Sequence, residues 1–385
     1  MYIVNRGLYW KQGEKDMTLT NYWWLLIWIF VGGGTLVAVI PKQRELVQGE
    51  MVECWNKYAA VILVLPYIIW AGFRSDAFGD TGAYRAGFRD APSHLGQLAE
   101  YLTTITKDKG YTVLTVFLKG IIGNSDILFF LIIAAIQLLC IVHVCRKYSC
   151  NYWMSIFLFV ASTDYIAWMH NGIRQFLAIT IVFAATELLI KKKYLPLILI
   201  ILLASTFHAS MLFMIPVVFI VQGKAWNKKS VLCIIACIVA LFFVDRFTDI
   251  LDSALSTTQY SGMVSDWKEW DDDGTNPIRV LVYSVPMLLS IVGYKQIKAS
   301  NDPLIHICTN FSILASGTAL LSMGTSGIFI GRMVQPTLIY ALLILLPWEL
   351  KNIFTEESSK FMQAVTIVGY VAFFYYQMHF TWGLL

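Results

Sequence analysis

The feature that most constrains this chain is a succession of apolar runs, many close to the length a helix needs to cross a bilayer, separated mostly by short polar links. They fall at roughly 22–41, 58–72, 126–145, 152–169, 172–190, 194–207, 209–222, 230–247, 277–295, 304–322, 327–347 and 361–381. Apolar residues make up 57% of the 385 residues and charged residues 14%, too little charge for a soluble protein of this length. Backbone N–H and C=O groups find no water in hydrocarbon, so the spans are expected to be helices. Several runs are short, and 194–222 reads as a bent pair or a re-entrant hairpin. The expected fold is therefore an all-α polytopic integral membrane protein, one membrane domain over residues 1–385, with about ten to twelve transmembrane helices. Residues 1–20 are mixed and polar, with no small-residue cleavage site after the first apolar run, so a cleavable signal peptide is not expected.

Orientation follows from the basic residues. Membrane insertion retains Lys/Arg-rich short loops in the cytoplasm. Lys42, Arg44 and Lys57; Arg146 and Lys147; Lys191 to Lys193; Lys224, Lys228 and Lys229; Lys295 and Lys298; and Lys351 and Lys360 alternate correctly with the apolar runs to mark inside loops. Both ends of the chain then fall outside. The net charge of +4 is explained by this bias, and small basic groups between apolar runs give no sign of nucleic-acid binding. Cys54, Cys140, Cys145, Cys150, Cys233, Cys237 and Cys308 all fall in inside loops or inner halves of spans, which argues against a disulfide framework. No Cys/His cluster has zinc spacing, and no metal site is expected.

Two long loops fall outside, at about 73–125 and 248–276. The first ends in YTVLTVFLKGIIG (residues 111–123), an apolar stretch interrupted by Lys119 that reads as an interfacial or partly inserted helix. Recognition or chemistry is expected on the face that carries the loop mass. The stretch 164–210 fixes its centre. HNGIRQ opens one apolar run, three lysines end it, and a second run climbs to His208 in FHAS, so Arg174, Gln175, His170 and His208 can meet at one outer surface.

Arg174, Arg279 and Arg332 each sit about one turn inside the outer end of a span. One such arginine reads equally as a side chain snorkelling to headgroups. Three on one face, with none equivalent on the other, resemble a phosphate or diphosphate clamp, because guanidinium forks bind phosphoryl oxygens bidentately. Asp76 and Asp80 flank a turn. Asp80 reads either as the N-cap of the helix beginning TGAYRAGF or as a general base. His208 is either a satisfied structural histidine or a base for a sugar hydroxyl. His170 also reads as part of a turn, and Asp164 as the partner of an arginine. The acidic run Asp271–Asp273 reads as a solvated face, with Trp267 and Trp270 as interface anchors.

With Arg74 before DTGAYRAGF, then NGIRQFLA, KKK, FHAS, Arg279 in NPIRV and Arg332 in GRMVQP, the chain resembles the EpsG-like family of oligosaccharide repeat-unit polymerases, the Wzy-type enzymes of bacterial surface polysaccharide assembly. The resemblance covers nearly the whole chain; the extended N-terminal segment and the HNG pairing lie outside the pattern. It implies a glycosyltransferase of the C type in the bacterial inner membrane, with its active site on the periplasmic face. A growing chain would pass from undecaprenyl diphosphate to the non-reducing end of a lipid-linked repeat unit, with no cofactor. On this resemblance Arg174, Arg279 and Arg332 hold the diphosphates. His208 or Asp80 acts as the base. Arg74, Tyr84, Gln175 and His170 orient sugars or hold the first loop over the site. Membrane lipid, a flippase and a chain-length regulator are the implied partners. An O-antigen ligase would use similar chemistry, but its motifs do not match. A flippase or other transporter predicts short loops on both faces and charges near mid-membrane. A membrane O-acyltransferase also needs a histidine, but no acyl-donor signature is present.

Overall fold

The computed structural model describes residues 22–47, 49–76, 78–256, 261 and 274–385. The acidic run 271–273 and its two tryptophans lie outside the described residues. The helices are α1 (Trp24–Val39), α2 (Lys57–Gly72), α3 (Thr81–Asp90), α4 (Leu98–Thr104), α5 (Lys109–Ile122), α6 (Asp126–Tyr148), α7 (Tyr152–Ala161), α8 (Asp164–Asn171), α9 (Ile173–Ala184), α10 (Thr186–Ile190), α11 (Tyr194–Phe207) and α12 (Met214–Ile220). They continue as α13 (Lys228–Phe242), α14 (Val244–Leu255), α15 (Pro277–Val292), α16 (Tyr294–Ala299), α17 (Pro303–Met323), α18 (Ile330–Asn352) and α19 (Glu356–Tyr376). This is the all-α membrane architecture expected.

One expected inside loop is not plain coil. Residues 43–54 form an antiparallel hairpin of β1 (Gln43–Val47) and β2 (Glu50–Cys54), in register Gln43 to Cys54. Arg146 at the end of α6 ties it down, donating to Glu45 Oε2 at 2.7 Å and to the Trp55 carbonyl at 3.2 Å. Arg146, expected to mark an inside loop, is therefore also paired within the protein.

By length and composition α6, α17 and α18 can each cross a membrane alone, and α13 with α14, bent by 110°, would make a fourth. This is fewer than the ten to twelve spans expected. The apolar runs are where the sequence places them, but the folded chain breaks several into short helices: among the described residues, seven apolar helices of 10–17 residues accompany the long ones. The run 152–169 breaks at Thr163, whose backbone is left-handed at φ 62°. The run 209–222 opens as a 3₁₀ turn over Ala209–Phe213.

The centre of the molecule is α17 packed on α18, with 83% of the apolar core of each buried inside the protein. Small and polar residues make α17 a good central helix, because they let neighbouring backbones approach. A Cβ at Gly317 would lie 3.3 Å from the Ile234 Cα of α13. Asn310 donates from Nδ2 to the Val221 and Lys224 carbonyls at 3.0 and 3.1 Å, closing the turn before α13.

The first long loop is built rather than open. It holds α3, α4 and α5. Lys119 of α5 is buried, and its ammonium donates to the Arg89 and Ala91 carbonyls at the end of α3. Val113, Phe117 and Ile121 leave an apolar stripe on the exposed side of α5, as an interfacial helix requires. The chain directions put Lys191–Lys193 at one end of α9–α11, and Arg174 and His208 at the other.

Candidate functional site

The site grows from the break at Thr163. Helix interruptions in a membrane protein are tolerated where the freed backbone is buried or lines a cavity. Here α8 starts at Asp164 and presents Asp164, Ala167, Trp168 and Asn171, one helical stripe, to a cavity of about 220 Å³. Arg279 and Tyr283 of α15, Gly331, Arg332 and Gln335 of α18, Thr275 and Trp382 complete its wall.

The arginines of this face are not equivalent. Arg279 is committed to α8. Its Nη2 donates to Asp164 Oδ1, and its Nε and Nη2 donate to the Tyr283 hydroxyl at 3.2 and 2.9 Å. The Tyr283 hydroxyl donates in turn to the same Asp164 Oδ1 at 2.7 Å. Arg174 pairs at 2.8 Å with Asp108, a loop residue whose backbone is left-handed at φ 54°. Arg332 forms no ion pair among the described residues. Its guanidinium lies 5.6 Å from the Trp168 ring centre, and its carbonyl accepts from Gln175 Nε2 at 3.3 Å. The expected three-way clamp therefore has one uncommitted charge, at Arg332, and two that share theirs with carboxylates.

His208 lies within electrostatic reach of both Arg174 and Arg332. It ends α11 in an extended backbone, and its Nδ1 lies 2.6 Å from Ser210 Oγ. Burial first, then the charges of Arg174 and Arg332, push its imidazole down to about 3. Its imidazole is therefore neutral in this arrangement. Tyr84 lies with its ring centre 5.9 Å from the Arg174 guanidinium. Burial raises the Tyr84 phenol and Arg174 pulls it back. Burial likewise raises Asp108, against the pull of Arg174. Gln137 of α6 holds the start of α9, donating to the Ile173 carbonyl at 3.2 Å.

The first loop is pinned against this centre. The Asp80 N–H donates to Asn171 Oδ1 at 3.1 Å. Gly79 permits the approach: its φ is 56°, and a Cβ there would meet the Asn171 Cβ at 2.7 Å. Asp80 precedes α3 without a side-chain capping bond and is exposed, so the cap reading fails and the carboxylate stays open to solvent. Asp76 pairs with Arg85, which also reaches Asp126 at 2.6 Å. Gly172 is needed for a different reason. A Cβ there would meet Trp168 Cε3 at 1.9 Å, so only glycine lets that ring lie over the α8–α9 joint.

Two of the residues expected to orient sugars or hold the first loop do not line the cavity. Arg74 is buried, donating from Nε to the Ala71 carbonyl at 2.5 Å and from Nη1 to the Met169 carbonyl at 2.7 Å, with its guanidinium 4.3 Å from the Phe130 ring centre. It holds the loop rather than facing the cavity. His170 is fully buried, its ring 4.4 Å from that of Trp70 and 4.6 Å from that of Phe78, and its Nδ1 2.9 Å from the Ile166 carbonyl. The reason is helical phase: the cavity stripe of α8 passes through 168 and 171, and 170 points to the other side. Gln175 is buried and acts through the Arg332 carbonyl.

Sequence reasoning did not single out Trp168, Tyr283, Asp108 or Gln335. Trp168 is four residues after Asp164, and Tyr283 four after Arg279, a spacing that could have found both. Asp108 comes from a distant loop and carries no such signal. Among the described residues no three His, Cys, Asp or Glu side chains converge as a metal site would require.

The chain is thus a helical membrane protein with broken helices and a cavity that carries Arg279, Arg332 and Asp164. The chain belongs to the EpsG family, whose model matches residues 57–382. That family is one of Wzy-like polymerases. No curated protein and no solved structure matches the chain.

Proposed function

We propose that the protein is a repeat-unit polymerase: a membrane glycosyltransferase that moves a growing glycan from undecaprenyl diphosphate to the non-reducing end of a lipid-linked repeat unit, on the periplasmic face of the bacterial inner membrane. The observation that carries this reading is the uncommitted guanidinium of Arg332 in a cavity at the face opposite the basic clusters. Breaking the bond from sugar to diphosphate leaves charge on the departing phosphate. Donors fixed where that charge develops stabilise it most when water is excluded. Arg332 is available for it outright. Arg174 becomes available when a phosphate displaces Asp108, and His208, within electrostatic reach of both, serves as a neutral hydrogen-bonding partner. Arg279 contributes by fixing Asp164. Tyr84 and Gln175 hold the two arginines in place, and Arg74 and Asp80 keep the first loop over the site. Arginines can supply this charge without a divalent ion.

The test is the surface polysaccharide ladder of a deletion strain. The reading expects only a single repeat unit in the deletion, and the full ladder after complementation with the wild-type chain. Loss of even the single capped unit would assign the protein to an earlier step, such as flipping, or to ligation.

A further inference from the structure

The cavity lining also carries acceptors that would repel a diphosphate. Asp164 lies on this wall with a side chain only 3% exposed. Its Oδ1 is filled by Tyr283 and Arg279, and its Oδ2, itself buried, has no donor among the described residues. Gln335, buried on the same wall, has an Oε1 without a donor. Buried acceptors of this kind repel phosphate oxygens and call for N–H or O–H groups. Sugar hydroxyls supply O–H donors. Trp168 and Trp382, on the same lining, offer apolar ring faces of the sort that pack on pyranoses.

The arrangement is also a poor structural device. A buried ion pair with one carboxylate oxygen unsatisfied gains little over an apolar contact of the same size. One oxygen of Asp164 is held by two donors, which fixes the carboxylate in place beside the cavity, while the other is buried and left free to accept a proton once a hydroxyl is seated there.

We infer that this wall is the acceptor subsite, taking a terminal sugar of the incoming lipid-linked unit, and that Asp164 Oδ2 is the base for its attacking hydroxyl. The inference rests on the polymerase reading. In the step, the hydroxyl oxygen bonds to the anomeric carbon of the donor chain. The bond from that carbon to the diphosphate oxygen breaks, and its electron pair leaves with the lipid diphosphate on the Arg332 side. The hydroxyl proton passes to Asp164 Oδ2 and is returned to water as the products leave.

The experiment uses the full chain in nanodiscs with a purified lipid-linked repeat unit as donor and acceptor, following chain extension. Asp164→Asn keeps an oxygen for Tyr283 and Arg279 but has no basic carboxylate. The expected result is a turnover lower by about a hundredfold to ten-thousandfold, with half-saturating substrate little changed. Asp164→Glu is expected to recover part of the rate. If Asp164→Asn fails to fold, Gln335→Met tests the subsite: its half-saturating substrate should rise about tenfold, and an unchanged value overturns the subsite. A folded Asp164→Asn protein that extends chains within about fivefold of wild type overturns Asp164 as the base while the polymerase reading stands. Wild-type protein that extends nothing overturns both.

Discussion

Replacing Arg332 by alanine separates a binding role from a structural one. Arg332 is half-buried at the cavity, has no carboxylate partner among the described residues, and touches Trp168 through its charge. A charge-assisted hydrogen bond is worth about 1.5–3 kcal/mol, and one charge pair at 4 Å in an effective dielectric of 20 about 4 kcal/mol. Losing about 2–4 kcal/mol of transition-state stabilisation lowers kcat/KM by roughly 30-fold to 1000-fold. Stability should hardly move, because the variant breaks no ion pair and forfeits about 0.5–1 kcal/mol of cation–π contact. Arg279→Ala is the contrast. It strands Asp164, nearly fully buried, without its cation, at a cost of about 3–5 kcal/mol in stability. The assay is chain extension by purified protein, paired with thermal unfolding in the same detergent. Arg332→Ala protein that extends chains within about threefold of wild type would refute the reasoning, as would a loss of stability equal to that of Arg279→Ala.

Two further outcomes test other parts of the site. The His208 imidazole sits at about 3, below the ordinary value of about 6.5. The unfolded chain therefore binds a proton between those values that the folded chain refuses, and stability falls as pH drops through that window. His208→Gln should flatten the slope in melting curves taken from pH 4 to 8, and an unchanged slope would show that the imidazole is not held neutral. Gly172→Ala places a methyl against Trp168 at 1.9 Å, tighter than a core can absorb, so destabilisation of about 1–3 kcal/mol or more is expected from thermal unfolding; an unchanged melting temperature would mean that the ring can move aside.

The sequence by itself determined the class of this protein and which groups share one end of its helices. Apolar runs, set off by lysine groups such as Lys191–Lys193, could satisfy their backbones only as helices in a membrane, and the alternation of basic loops brought Arg174 and His208 to one face. Tertiary structure decided what each charged group does there. Arg174, Arg279 and Arg332 look alike along the chain, because each stands one turn inside a span. Whether a guanidinium is committed depends on carboxylates that arrive from elsewhere: Asp108 from the first loop and Asp164 from the break before α8. His170 and Trp168 are likewise two residues apart in sequence and on different sides of one helix in space, one packed between rings and the other facing the cavity. Hydropathy and charge sum along the chain, so they can be read from it. Pairing and helical phase are set by where a break such as Thr163 turns the backbone, and that turn takes shape only against the packed interior.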